Sequence, residues 1–89
     1  MNTTKINIII VSRKRLKSLN NLLNSLEISS KLSKTIPNIY LGIEKDDYKN
    51  LKKFKNLKIF KEEFEKNTNP VKIKNYIYNK YNSKIKIFL

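Results

Sequence analysis

The chain has 89 residues, a formal net charge of +13, 39% hydrophobic and 30% charged residues, which is a globular balance with room for one small domain and a limited core. It has no cysteine and no histidine, which excludes a disulfide framework and a thiolate metal site and removes the commonest general base and metal ligand. Any catalysis then runs on carboxylates, lysines, tyrosines or a borrowed group. The charge itself has two open readings. Eighteen Lys, 13 Asn, 13 Ile and no Ala are what AT-rich codons encode, but such a basic surface also attracts phosphate, nucleic acid or anionic lipid. No run reaches the roughly 18 consecutive apolar residues of a membrane helix. The short run from Ile6 to Val11 is followed by Arg13-Lys14-Arg15, the reverse of the charge order of a secretory signal. A soluble, cytoplasmic chain without a transmembrane segment is expected.

Taken in chain order, Lys5 to Ser12 (KINIIIVS) is a continuous β-branched run without alternation, which suits a strand buried on both faces of a parallel sheet. Leu16, Leu19, Leu22, Leu23 and Leu26 then form one apolar stripe, with Lys17, Asn20, Asn21 and Asn24 opposite, the pattern of an amphipathic helix. Ser29 to Pro37 is polar and serine-rich and reads as a loop. Asn38 to Ile43 (NIYLGI) is a second strand that runs into an acidic knot, Glu44, Asp46 and Asp47. Tyr48, Leu51 and Phe54 follow at three-residue steps, a helix of about two turns. Leu57 to Phe60 (LKIF) is a third, lysine-flanked strand near a sheet edge, and Lys61 to Asn69 reads as a charged loop.

Asn69-Pro70 is a helix-start signal, an N-cap residue with proline at the first helical position. The last helix carries Val71, Ile73, Ile77, Tyr78 and Tyr81, and Lys84 to Leu89 (KIKIFL) is a fourth strand. Strands alternating with helices predict βαβ units, hence an α/β fold with an open, mostly parallel, Rossmann-like sheet in a single domain over residues 1–89. In such sheets ligands bind beyond the carboxyl ends of the strands where strand order reverses. That directs attention to Ser12 to Arg15 and Glu44 to Asp47.

These segments, in this order, resemble the front half of a GT-A fold glycosyltransferase. INIIIVSRKR followed by LKSLNNLLNSL is similar to the family's first strand, which ends in a Ser/Thr-Arg-x-Arg turn. NIYLGIEKDDY resembles its second strand, which closes with an acidic cluster beside the nucleotide. NPVKIKNYIYNKY is similar to the helix before the fourth strand, here carrying Asn75, and KIKIFL to the strand leading into a metal-binding Asp-x-Asp motif. The resemblance implies a nucleotide-sugar ligand. Ser12, Arg13 and Arg15 would lie near its pyrophosphate and base, Glu44, Asp46 or Asp47 near ribose or uracil, and Asn75 would join this binding set. Mg²⁺ or Mn²⁺ is expected only if the missing Asp-x-Asp segment is supplied. The chain ends before that motif, so the expectation is a truncated donor-binding domain without catalytic residues or a metal site of its own. A partner chain would then supply the C-terminal half.

Other readings of the same residues stay open. Arg13 and Arg15 are either phosphate ligands or surface charges at a helix start, where the macrodipole disfavours cations. Asp46 or Asp47 is either a helix cap or a ribose contact. The tyrosines interleaved with lysine either stack on bases or lie half-buried with wet hydroxyls. A small basic nucleic-acid-binding protein is the alternative function.

Overall fold

The run Ile8-Ile9-Ile10-Val11 is apolar on both sides because the strand it forms is covered on both sides. In the computed structural model, which describes residues 6–66, 68–81 and 83–89, the order of elements is β1 (Asn7–Ser12), α1 (Leu16–Ser33), β2 (Asn38–Glu44), α2 (Lys45–Lys49), β3 (Lys58–Phe64), α3 (Pro70–Lys80) and β4 (Ile85–Phe88). All strand pairs are parallel, in the order β3-β2-β1-β4. The fold is therefore α/β, with the all-parallel sheet of a Rossmann-like half-fold. Lys5, the first residue of the predicted first strand, lies outside the described residues.

The chain builds the sheet outward from β1 to β2 and β3, then returns past β1 to add β4 on its other edge. That reversal divides the helices between the two faces. Ile8 and Ile10 pack with Leu19 and Leu23 of α1 and with Ile39, Leu41 and Ile43 of β2. Ile9 and Val11 point the other way, to Ile73 and Ile77 of α3. Each fully buried Ile or Leu in these rows contributes about 1.5–3 kcal/mol. Tyr40, Tyr78 and Tyr81 pack against the second cluster and Tyr48 against the first, so four of the five tyrosines have their rings on the core. Tyr76 is exposed.

Three boundaries differ from the sequence reading. α1 runs on through Ser33 and absorbs the serines read as a loop, because Ser30 falls on the same face as Leu19, Leu23 and Leu26 and is buried there. The helix then stops at Lys34, whose φ of 57° is left-handed. α2 is a single turn or so, and Leu51 and Phe54 reach the core from irregular chain. β3 continues to Phe64, pairing Lys61 with Leu41 and Phe64 with Glu44. Its charged residues are tolerated because one edge of the strand faces water. The start of α3 is as expected: the Asn69 side chain accepts the Val71 N–H at 2.8 Å, with Pro70 at the first helical position.

The one glycine of the chain, Gly42 in β2, marks the closest approach of α3 to the sheet. A Cβ there would lie 3.2 Å from Ile77 Cγ1 and 3.5 Å from the Phe64 ring. Gly42→Val should therefore overpack this contact and destabilise the fold by about 1–3 kcal/mol, with Gly42→Ala less affected. Urea unfolding midpoints of the two variants against the parent check this ordering.

Candidate functional site

Where a parallel sheet reverses its strand order, the loops leaving adjacent strands diverge to opposite faces and open a crevice at the carboxyl ends. Here the reversal falls between β1 and β4. Ser12 closes β1 and is fully buried. By the period of two it extends the row Ile8–Ile10 toward the face covered by α1. Arg13 follows, half-buried, then Lys14 in the left-handed region at φ 57°, and Arg15 at the N-cap position of α1. No side chain caps α1, and its first turn contains no acidic residue. Its leading N–H groups and the positive end of its dipole thus remain available to an anion.

The β2–α2 junction lies beside this loop. The Asp47 carboxylate accepts the backbone N–H of Lys14 at 3.3 Å, which ties the left-handed turn to the acidic segment 33 residues away in sequence. Glu44, the last residue of β2, is 5% exposed and occupies the N-cap position of α2 without capping it through its side chain. Asp46 and Asp47 lie in the first turn of α2 rather than at its cap. A shallow cleft of about 280 Å³ adjoins Glu44, Lys45 and Asp46 and reaches the end of β3. Lys45 closes it through an ion pair with Glu65, whose hydrogen bond raises the lysine pKa.

Four buried side-chain polar atoms have no hydrogen-bond partner among the described residues: Ser12 Oγ, Arg13 Nε, Glu44 Oε1 and Ser30 Oγ. Three of them sit at the carboxyl ends of β1 and β2. A buried polar group without a partner costs about 1–3 kcal/mol, so this is where the fold has unspent hydrogen-bonding capacity. Asn75 is different. It is exposed on α3, and no hydrogen bond links it to any of these residues. The structure thus brings Ser12 to Arg15 together with Glu44 to Asp47 and leaves Asn75 apart. Among the described residues no three acidic side chains converge in a way that could hold a metal ion, so the residues present do not fit the family's divalent cation and no step is derived through one. Comparison with known proteins finds no matching family model, no matching curated protein and no matching solved structure.

The titratable cluster with shifted pKa values lies elsewhere, on the α3 face. Glu62 accepts hydrogen bonds from Lys80 and from the Tyr81 hydroxyl. The Lys80 bond, followed by that of Tyr81, lowers the Glu62 pKa. Glu62 in turn raises the Lys80 pKa strongly. Tyr81 is raised first by burial, then by Glu62, and its ring stacks on Tyr40 at 4.2 Å. Sequence inspection gave no sign of this trio, because Glu62 sits in the charged stretch read as loop.

A carboxyl whose folded pKa is depressed adds stability above its ordinary value of 4.5 and loses it as pH falls through the lower folded value. Glu62→Gln should therefore be less stable than the parent at neutral pH, with the gap narrowing below that value. Urea midpoints measured at neutral and at acid pH test the sign.

Proposed function

We propose that this chain binds a nucleotide-sugar through its nucleotide, at the carboxyl ends of β1 and β2, as the donor-binding half of a glycosyltransferase-like fold. The observation that carries the reading is the coincidence of three unpartnered buried polar atoms, on Ser12, Arg13 and Glu44, with the uncapped start of an 18-residue helix beside the point of strand reversal. In this reading the leading N–H groups of α1 and the Arg13 guanidinium take the pyrophosphate, an arrangement that answers both the dipole and the charge. Arg15, exposed at the helix start, adds positive potential. Glu44, Asp46 and the Asp47 oxygen not used by Lys14 accept hydrogen bonds from ribose hydroxyls or the uracil N–H. The sugar identity and turnover belong to groups this chain does not carry.

The resemblance in strand order and motif spacing supports the glycosyltransferase half of the proposal. A partner chain supplying the remaining half would add beside β4, whose outer edge is unpaired among the described residues and whose Ile85 and Phe88 are exposed. Nucleic acid is the weaker reading. Its support is the net charge of +13, which predicts salt-steep binding without preference for any nucleotide.

Titration calorimetry with UDP-glucose tests the proposal. Binding is expected, and Arg13→Ala should weaken it by about tenfold, the loss of one charge-assisted hydrogen bond. Absence of binding would overturn the reading. So would tight, salt-sensitive binding of a single-stranded oligonucleotide that Arg13→Ala leaves unchanged.

A further inference from the structure

A second cleft lies on the α1 face, between α2, the irregular chain of residues 50–57 and the outer strand β3. It is the roomiest of the molecule's clefts, about 610 Å³, within the range of small-molecule sites. Its floor is Tyr48, Leu51, Phe54, Leu57 and Ile59, all members of or packed against the first core cluster. Leu57 and Ile59 stand at the amino end of β3, away from the carboxyl ends that carry the nucleotide reading. Its rim is Lys49, Lys52 and Lys53. No acidic side chain lines it, and none of these three lysines joins an ion pair among the described residues. A further cation, Lys61, lies over the Tyr48 ring at 4.1 Å.

The wall of this cleft is tied down. The Lys52 N–H donates to Asn20 Oδ1 and the Asn56 N–H to a Glu27 carboxylate oxygen, both at 3.2 Å, so the irregular chain is fixed to α1 at two points. The cleft is thus preformed, which lowers the ordering cost of filling it.

An apolar floor beneath an unpaired cationic rim specifies its occupant on both counts. We propose that this cleft binds a free anionic amphiphile, an alkyl chain on the floor with a carboxylate or phosphate head on Lys49, Lys52 and Lys53. A neutral apolar ligand would leave the rim unused, and a polyanion would leave the floor uncovered. A membrane surface fits poorly, since Phe54 and Leu57 are buried rather than projecting. A second copy of the chain would bring another net charge of +13 against the rim.

The test is titration of the full chain with decanoate and with decyl phosphate, both below their micelle concentrations, followed by tyrosine fluorescence and calorimetry. Saturable binding is expected for both, with decanol weaker. The charge-reversal pair Lys52→Glu/Lys53→Glu should weaken decanoate by about tenfold or more. The pair Lys72→Glu/Lys74→Glu on α3, with the same change in net charge, should have little effect. All four lysines are exposed, so both double variants should keep the fold, which circular dichroism verifies. Equal weakening by the two pairs would assign the effect to bulk charge and overturn the proposal. It would also be overturned by an absence of saturable binding, or by binding only to phosphatidylglycerol vesicles.

Discussion

A parallel strand hydrogen-bonded on both edges and packed on both faces has no surface left for water, and β1 is such a strand. It pairs with β2 along one edge and β4 along the other, while Ile8 and Ile10 face α1 and Ile9 and Val11 face α3. With the central strand so committed, its only free end is the carboxyl end. The chain leaving Ser12 has to turn at once onto one face, and it does so through the left-handed Lys14. The reversal of strand order then leaves that turn beside a gap rather than beneath another helix. Position in the sheet, more than any single residue, makes the carboxyl end of β1 the place where a ligand can meet the backbone.

What gathers there is polar capacity that the fold itself does not use. A helix start without a cap is ordinary when water reaches it. A buried serine hydroxyl, a guanidinium nitrogen and a carboxylate oxygen without partners are costlier, and here they adjoin the same helix start. The contact between the Lys14 N–H and Asp47 shows how the acidic segment contributes before any ligand arrives: it fixes the turn that presents Arg13. The lysine-rimmed cleft at β3 has a different character, with an apolar floor and mobile cations at its mouth. The two sites therefore call for different ligand chemistry although they share one small sheet.

The sequence exposed the parts of this fold that local chemistry decides. The double-faced run Ile8 to Val11, the leucine stripe of α1 and the Asn69-Pro70 start each carry their own signal, and together they define a parallel α/β sheet. Boundaries set by tertiary packing were less legible. Ser30 is helical because a small side chain fits the core row there, and Lys61 to Phe64 are extended because an edge strand can place charges in water. Neither fact is written in propensity. Among the site residues, Ser12, Arg13, Arg15, Glu44, Asp46 and Asp47 could be singled out because chain position places them at strand ends. The burial of Glu44 and the bond from Lys14 to Asp47 depend on register between distant segments. Asn75 shows the limit of analogy by motif: its place in a helix was legible, but its exposure and separation from the crevice were not.

The central claim concerns where a nucleotide meets this chain, and mapping backbone amide shifts of isotopically labelled protein during titration with UDP tests it most directly. The account predicts that the perturbed amides concentrate at 12–18 and 44–47, with those of Leu16 to Ser18 moving most as the phosphates dock on the helix start. Perturbation spread along the lysine-rich stretch 49–58, or no saturable perturbation at all, would contradict it.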